Sequence, residues 1–225
     1  MQLGGTLAAM ALVDLLLPPA CAGCGRYGAE LCRSCHASFS PASQPRDRFL
    51  AADPGVVVGD ELEVALAAFA YEGALRRALS RLKYGGAARL ASPLALIALP
   101  ILRRLQALTG PAHLVPVPVH DERLRQRGYN QAALLARAMA RHVGMPVADV
   151  LVRRRPTTQQ HRLDRAARLR NLREAFAVQP QARPPPIVVL VDDILTTSAT
   201  LEACAAVLRA QGTDRVVGIA VAREI

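Results

Sequence analysis

The stretch IVVLVDDILTTSATLEACAAVLRAQG, residues 187–212, decides the fold. Its first five residues, 187–191, form an unbroken aliphatic and β-branched run, which is typical of a strand buried on both faces of a parallel sheet. Further on, Leu201, Cys204 and Leu208 are spaced as the apolar stripe of an amphipathic helix. The stretch therefore predicts a strand, a short polar connection and a helix.

The connection, residues 192–197, lies where open α/β sheets bind ligands, at the carboxyl end of a strand. Thr196 and Thr197 offer hydroxyl and backbone donors at a helix N-terminus, which attracts phosphate. Asp192 and Asp193 would repel phosphate, but they suit ribose hydroxyls or a hydrated Mg²⁺. Together these groups describe a ribose 5-phosphate. The alternative is a pair of aspartates that only caps the helix, which leaves two acids at the end of a buried strand unexplained.

The segment VVLVDDILTTSAT, residues 188–200, resembles the phosphoribosyl pyrophosphate signature of type I phosphoribosyltransferases, specifically of their ComF/GntX branch. The resemblance implies that Asp192 and Asp193 are the catalytic acids that hold the ribose hydroxyls. It also implies a cradle for the 5-phosphate formed by Thr196, Thr197, Ser198, Ala199 and Thr200. The family usually has glycine where this chain has Ser198, and serine there costs about 1 kcal/mol if the loop needs a left-handed conformation.

Length and charge limit the possible partners. The chain has 225 residues, which predicts one principal domain with a small appendage. Its net charge is +10, and Lys83 is its only lysine. Residues 121–176 hold thirteen arginines against five acidic residues. A segment this basic favours an anionic partner, either a pyrophosphate or a nucleic-acid backbone; solvated surface charge is the alternative.

The first twenty residues are apolar, but they lack the basic start of a signal peptide, and Asp14 interrupts the run. The run is also short for a bilayer span. We therefore expect a short buried helix before Pro18 and a cytoplasmic protein.

Four cysteines occur in CAGCGRYGAELCRSC, residues 21–35, as two C-x2-C pairs separated by seven residues. Each pair can give two thiolates to one tetrahedral Zn²⁺. The predicted metal ligands are Cys21, Cys24, Cys32 and Cys35. Two disulfides are the alternative, although nothing in the sequence indicates secretion. A cysteine cluster at the N-terminus also resembles the ComF family, and His36 is interpreted as a bystander.

A second strand–loop–helix unit lies in HLVPVPVHDERLRQRGYNQ, residues 113–131. Residues 114–119 read as a strand whose two prolines indicate an edge position or an irregular end, and a helix is expected from about residue 130. The basic loop between them resembles the family's pyrophosphate-binding loop. By that resemblance the site residues are Arg127, Gly128, Asn130 and Gln131. In YEGALRRALSRLKYGG, which also resembles the family, Lys83 is a candidate for binding substrate phosphates; the alternative is a basic charge that favours a helix C-terminus.

Residues 153–176 form a long polar, basic segment, and such segments inside compact domains are usually functional. They resemble the family's hood, which implies closure over the phosphoribosyl donor and exclusion of water. The implied contacts are Thr157, Gln160, Arg168 and Asn171. The alternative is an exposed charged helix.

The resemblance covers nearly the whole chain, in order. It implies a type I phosphoribosyltransferase fold, a parallel sheet flanked by helices, in residues 56–225. Residues 1–55 would hold an N-terminal helix and a zinc-ribbon-like module. The implied function is Mg²⁺-dependent binding of phosphoribosyl pyrophosphate and transfer to an unknown acceptor, linked to DNA uptake. The other hypothesis is a non-catalytic competence protein that grips single-stranded DNA and works with recombination proteins.

Overall fold

The computed structural model of the chain describes residues 18–42, 55–154 and 174–224. Its centre is a five-stranded sheet with the spatial order β1-β2-β7-β6-β3. The strands are β1 (Val56–Val57), β2 (Val64–Ala70), β3 (His113–Pro116), β6 (Ile187–Leu195) and β7 (Arg215–Arg223), with β4 (Leu151–Arg153) and β5 (Phe176–Val178) forming a separate pair. The neighbours among β2, β7, β6 and β3 are parallel, whereas β1 pairs with β2 and β4 pairs with β5 antiparallel. The predicted α/β class with a mainly parallel sheet is therefore confirmed.

Helices cover both faces of this sheet. They are α1 (Arg33–Ala37), α2 (Gly73–Tyr84), α3 (Ala91–Thr109), α4 (Asp121–Arg127), α5 (Gln131–Val143) and α6 (Ala199–Arg209), and a 3₁₀ turn (Ala88–Leu90) precedes α3. Most predicted elements occur close to their expected positions. The exception is the arginine-rich loop after β3, because residues 121–127 form the short helix α4. Asp121 and Glu122 begin α4 and Arg125 and Arg127 end it, so its charges complement the helix dipole.

Side chains of β6 alternate between two cores, as expected of a strand buried on both faces. Val189 and Val191 pack in one core with α2, α3 and α5. Val188 and Leu190 pack in the other with α6 and the β4–β5 pair. The predicted apolar stripe of α6 is confirmed by the burial of its members, Leu201, Cys204 and Leu208.

The proline-containing strand β3 is the last strand of the sheet and pairs there with β6, which agrees with the first of the two expectations, an edge position. On its other side Leu114 makes an isolated parallel bridge to Val147. The strand β3 ends at Pro116, which is opposite Val191. One further hydrogen bond follows, in which the amide of Val117 donates to Val191 over 2.9 Å. Pro118 has no amide hydrogen and cannot extend the ladder. The prolines therefore end the pairing on this side of β6 while β6 itself continues.

The residues around the cysteines pack directly on the sheet. The amide of Ala70 donates to Ser40, and that of Ala42 donates to Ala68. Cys21 and Cys35 are buried in the same core as α2. The division of the chain into residues 1–55 and 56–225 stays a prediction, and the helix expected before Pro18 lies outside the described residues.

Within the described ranges, one helix, Ala88–Thr109, is long and apolar enough to cross a membrane. Half of its most apolar window is buried inside the fold. Its inward residues, such as Leu94 and Leu102, are fully buried in the core. Core helices of globular proteins share this composition, so its length and apolarity are weak evidence for a span.

Candidate functional site

The last four residues of β6, 192–195, run beyond the end of β3 and pair only with β7. The sequence placed the strand end at Val191, and this expectation was wrong, because pairing with β7 continues to Leu195 opposite Arg223. Among the described residues, no strand pairs with the side of this extension that faces away from β7, because β3 ends at Pro116. Asp192 and Asp193 lie on this extension, at the carboxyl edge of the parallel strands.

Asp193 is paired with the only lysine of the chain. Its carboxylate lies 2.9 Å from the Lys83 ammonium, at the last turn of α2. The Asp193 side chain is only 3% exposed and that of Lys83 is 20% exposed. Burial lowers the pKa of Lys83, but the charges of Asp193 and Asp192 outweigh it and the net shift is upward. The ion pair joins α2 to the end of β6.

Asp192 has a different environment. It continues the strand face of Val188 and Leu190, toward α6, where its charge contributes to raising the pKa of the buried Cys204 thiol. Part of its surface is exposed, but protein packs closely round the carboxyl. Burial raises the pKa of Asp192 well above its ordinary value, and the neighbouring charge and hydrogen bond of Asp193 raise it further. Lys83 opposes this shift without cancelling it.

The two aspartates therefore differ in charge balance. The charge of Asp193 is balanced by that of Lys83, whereas the raised pKa of Asp192 disfavours ionisation of its carboxyl. A cation, or a diol that donates hydrogen bonds, would stabilise the ionised form of Asp192. The second of the two acids at the end of the buried strand, Asp193, is therefore accounted for by its ion pair with Lys83 within the chain.

The loop after β6, residues 196–198, leads into the N-terminus of α6. Ser198 is the N-cap residue and has φ 55° and ψ −12°, which is the left-handed region. The condition under which Ser198 was expected to carry a cost, a left-handed conformation, is therefore met. The Ser198 hydroxyl donates to the carbonyl of Thr197 and does not accept a hydrogen bond from an amide of α6. Thr196 and Thr197 are exposed, and the first turn of α6 adds Ala199 and Thr200.

A polar cavity of about 410 Å³ adjoins this edge, between the end of α2 and α4. Its lining residues are Lys83, Tyr84, Gly86, Arg123, Gln126, Arg127 and Tyr129. The guanidinium of Arg127 lies over the Tyr84 ring, 4.9 Å from its centroid, and donates to Gln131 over 2.9 Å. The Tyr129 hydroxyl donates to the carbonyl of Leu82 over 2.6 Å. These contacts fix the orientation of Arg127 within a cavity that already contains Lys83.

The other predicted residues of this region shape the backbone. Gly128 ends α4 with φ 78°, and its amide donates to Leu124. Asn130 begins α5, accepting from the amide of Ala132 and donating to the carbonyl of Val117. Gln131 is buried and accepts from Arg127. Contact of these residues with a substrate stays a prediction.

The ends of the arginine-rich segment meet in the β4–β5 pair, beside α6. Arg153, at the end of β4, stacks on Phe176 with 5.3 Å between its guanidinium and the ring centroid. Burial and the charge of Arg123 lower the pKa of Arg153, while Cys204 and Asp192 oppose the shift. Four predicted contacts of the hood lie outside the described residues, namely Thr157, Gln160, Arg168 and Asn171.

Arg153 and Tyr84 were not identified as site residues from the sequence. Arg153 is one of three consecutive arginines, and their sequence does not distinguish the one that stacks on Phe176 and is influenced by the charge of Asp192. Tyr84 follows Lys83 directly, so its position beside the only lysine was the available signal.

The four cysteines form a cluster that could bind a metal ion. The sulfur atoms of Cys21, Cys24, Cys32 and Cys35 all lie within 4.8 Å of one another. Those of Cys24 and Cys32 are 3.7 Å apart. Tetrahedral bonds of about 2.3 Å from zinc to sulfur would give sulfur separations of about 3.8 Å. His36 packs edge-on against Phe39 and Phe69, which agrees with its interpretation as a bystander.

The surroundings of the cluster favour thiolate. Burial would raise the pKa of Cys21, but amides of Cys32, Cys24 and Gly23 donate to its sulfur and lower the pKa to about 6. Burial and the adjacent sulfurs raise the pKa of Cys35 to about 12. A cation at the centre would replace the proton that Cys35 otherwise keeps. Gly23 is required here, because a Cβ would lie 2.7 Å from the Cys35 sulfur.

These features define a mixed α/β protein with a site of basic side chains and carboxylates at the carboxyl edge of its sheet and a four-cysteine cluster. The chain is 30% identical over 210 residues to competence protein F of Haemophilus influenzae, covering 87% of this chain and 86% of that protein. It is 30% identical over 204 residues to the DNA utilization protein YhgH of Salmonella typhimurium, covering 87% and 85%. No protein-family model matches the chain. The chain belongs to the competence protein F (ComF) family.

Proposed function

We propose that the chain has a type I phosphoribosyltransferase fold and binds phosphoribosyl pyrophosphate with Mg²⁺ at the carboxyl edge of β6. One observation carries the proposal. The carboxyl of Asp192, the left-handed loop before α6 and the basic cavity at Lys83 adjoin the same end of one strand, the part of β6 that extends beyond β3. A ligand that has a diol between two phosphate groups matches this order of groups, in which the carboxyl lies between the loop before α6 and the basic cavity.

Each part of the donor has a matching part of the site. The amides and hydroxyls of residues 196–200 would hold the 5-phosphate, since a helix N-terminus attracts anions. Asp192 and Asp193 would accept from the ribose hydroxyls. Arg127 and Lys83 would contact the pyrophosphate within the cavity of about 410 Å³. Mg²⁺, bound with the donor, would neutralise phosphate charge and stabilise the ionised form of Asp192.

The chemistry that this arrangement supports is transfer of the phosphoribosyl group. The bond between C1 of the ribose and the pyrophosphate oxygen breaks, and an acceptor nucleophile forms the new bond to C1. The carboxylates favour the positive charge that develops on the ribosyl centre, and Arg127 and Lys83 stabilise the departing pyrophosphate. The acceptor gives up its proton during the transfer, and the identity of this acceptor is left unassigned.

We also propose that the cysteine cluster holds one structural zinc ion. The support is the mutual closeness of the four sulfurs and the amides that donate to Cys21. The cluster lies in the core that supports α2, so the metal would stabilise the helix that carries Lys83.

The biological setting that we propose is DNA uptake or utilization in the cytoplasm, because the relatives are named for competence and for DNA utilization. A second candidate is a non-catalytic protein that binds single-stranded DNA and cooperates with recombination proteins. The arginines at the cavity favour it, since the same side chains that fit a pyrophosphate fit a nucleic-acid backbone.

Isothermal titration calorimetry with phosphoribosyl pyrophosphate tests the first candidate. We expect binding that requires Mg²⁺ and that competes with pyrophosphate. Ribose 5-phosphate should bind more weakly, because it leaves the cavity at Arg127 empty. A titration at millimolar donor with no heat and no thermal stabilisation would contradict the proposal.

The left-handed residue of the loop gives a direct test. Ser198→Gly is expected to keep the donor affinity equal or to improve it, because glycine adopts φ 55° without the strain of about 1 kcal/mol that serine bears. The gain in stability should be at most about 1 kcal/mol, since glycine also makes the unfolded chain more flexible. Calorimetry and thermal unfolding measure the two quantities.

Thr197→Gly is the matched control, because Thr197 is not among the positive-φ residues of the described chain. It removes a hydroxyl from the phosphate loop without relieving strain, so it should weaken donor binding. If Ser198→Gly weakened binding as much as Thr197→Gly, the serine would be a ligand for the phosphate and not a strained substitute for glycine.

Donor binding should also depend on pH through Asp192. Its raised pKa means that the folded chain binds a proton more tightly than the unfolded chain does. The free energy of unfolding should therefore fall as the pH rises from the ordinary pKa of aspartate through the raised pKa of Asp192. Binding of Mg²⁺ with the donor should release this proton, so the donor affinity should rise with pH over the same range.

The proton released on binding is measured by calorimetry in two buffers with different ionisation enthalpies. Asp192→Asn should lose this release because asparagine has no proton to give up. An unchanged release in Asp192→Asn would place the titrating group elsewhere.

A further inference from the structure

Lys83 lies between the two parts of the proposed donor site. Its ammonium is 2.9 Å from a carboxylate oxygen of Asp193, and its side chain also lines the polar cavity of about 410 Å³ that contains Arg127. A lysine has a compact charge at the end of a flexible stem. It can therefore exchange one partner for another within reach while the backbone of α2 stays in place.

The ammonium of Lys83 supplies positive charge to two neighbouring carboxyls, Asp192 and Asp193, which we call the acid pair. The amide of Asp193 donates to Oδ1 of Asp192 over 2.8 Å, so the first carboxyl is held against the backbone of the second residue. Burial opposes the charge of Lys83, but the charges of Asp193 and Asp192 outweigh it and keep the pKa of Lys83 above its ordinary value. The acid pair therefore has a positive partner from the chain itself at neutral pH.

This positive charge changes what the acid pair can bind. Two adjacent carboxyls are a suitable start for a site that binds Mg²⁺ or Mn²⁺, since both ions prefer oxygen ligands. The Asp193 carboxylate is 3% exposed and already paired with an ammonium, so an entering cation would have to displace Lys83 or lie beside it. Like charges repel strongly at such distances in a partly buried site. A pyrophosphate in the adjoining cavity would remove this obstacle, because its oxygens attract Lys83 away from Asp193.

We propose that Lys83 excludes free divalent cations from the acid pair, so that the site accepts Mg²⁺ only together with phosphoribosyl pyrophosphate. In the donor-free chain the ammonium of Lys83 stays on Asp193. When the pyrophosphate enters the cavity, the ammonium turns toward its oxygens and leaves the Asp193 carboxylate to accept from the ribose hydroxyls. The turn of Lys83 rests on the proposed donor site, whereas the exclusion of the free cation depends only on the ion pair.

The test is a titration of the full chain with Mn²⁺, in which electron paramagnetic resonance measures the free ion. Mn²⁺ is the probe because it shares the carboxylate preference of Mg²⁺ and is poorly suited to the thiolates of the cysteine cluster. Lys83→Met removes the charge and keeps most of the side-chain length, so it should bind one Mn²⁺ per chain at least about tenfold more tightly than the unmodified chain. Adding Asp193→Asn to Lys83→Met should remove this gain.

Arg81→Met is the matched control, because Arg81 is exposed on the same helix and has the same charge. This variant should bind Mn²⁺ as the unmodified chain does. Loss of the ammonium leaves the buried Asp193 carboxylate unpaired, so Lys83→Met should also unfold at a lower temperature. Mn²⁺ should raise that temperature again in Lys83→Met and leave it unchanged in Arg81→Met.

The unmodified chain provides a measurement that does not depend on the folding of a variant. Mg²⁺ alone should leave its unfolding temperature unchanged, whereas Mg²⁺ with phosphoribosyl pyrophosphate should raise it. Stabilisation by Mg²⁺ alone that is lost in Asp192→Asn would overturn the inference. Equal Mn²⁺ affinities of Lys83→Met and either the unmodified chain or Arg81→Met would also overturn it. A donor that fails to bind while Lys83→Met gains a Mn²⁺ site would contradict the proposed function and support the exclusion by Lys83.

Discussion

Replacing both aspartates at the end of β6 with asparagine is expected to abolish Mg²⁺-dependent binding of phosphoribosyl pyrophosphate. Hydrogen bonds to charged groups contribute about 1.5–3 kcal/mol each. Loss of both carboxylates should therefore weaken the donor affinity at least about 100-fold. Calorimetry at saturating Mg²⁺ measures the change. The exposed Asp60, in the loop between β1 and β2, supplies the control Asp60→Asn, which should bind the donor normally.

The single variants separate binding from stability. Asp193→Asn leaves the partly buried Lys83 ammonium without its partner at 2.9 Å, so it should lower the free energy of unfolding. Asp192→Asn removes a carboxyl whose ionisation the fold opposes, so it should leave stability unchanged or raise it. Chemical denaturation measures both. If the double variant bound the donor as tightly as the unmodified chain, the acids would only shape the start of α6 and the proposed donor site would fail.

Removal of the cysteine ligands is expected to have the largest effect on stability. Protein purified without chelator should contain one zinc per chain by elemental analysis. Cys21→Ser with Cys35→Ser should contain none, because two buried ligands of four are lost. Apparent binding energies of structural zinc, about 10–16 kcal/mol in small peptides, match the whole stability of an ordinary domain. We therefore expect a loss of at least about 3 kcal/mol, measured by thermal unfolding.

Cys204→Ala is the control for the loss of a buried thiol. Cys204 lies on the buried face of α6 and is not part of the cluster. This variant should keep its zinc and lose only the packing of one sulfur. Metal-free protein with two disulfides among residues 21–35 would contradict the zinc proposal. A chelator should destabilise the unmodified chain and leave the Cys21 and Cys35 variant unchanged.

The sequence predicted the elements whose signals are local. The run 187–191 and the stripe of α6 each depend on side-chain period alone, and the structure has both. The glycine that the family usually has at the position of Ser198 raised the question of a left-handed residue, and the structure has one there. The spacing of the cysteines predicted their closeness, because two short knuckles leave few ways to separate four sulfurs.

Contacts between distant segments could not be predicted in this way. The extension of β6 to Leu195 depends on pairing with β7, which follows it in the chain. The ion pair between Lys83 and Asp193 joins residues 110 positions apart, and neither local pattern identifies the other as its partner. The helix α4 was read as a loop because its seven residues have no buried face, and so no apolar period marks them.

The hydrogen bond from Arg77 to Gly23 and the ion pair from Lys83 to Asp193 both belong to α2. The helix α2 therefore contacts the cysteine cluster through its first turns and the end of β6 through its last turn. Its buried residues, such as Leu75 and Leu79, lie in one core together with cysteines of the cluster and residues of β6. Mutations that accumulate on this inner face over evolutionary time cannot adjust one neighbour without disturbing the other. We therefore expect descendants of this sequence to keep both the cysteine cluster and the acidic end of β6 or to lose both, because α2 contacts the two of them.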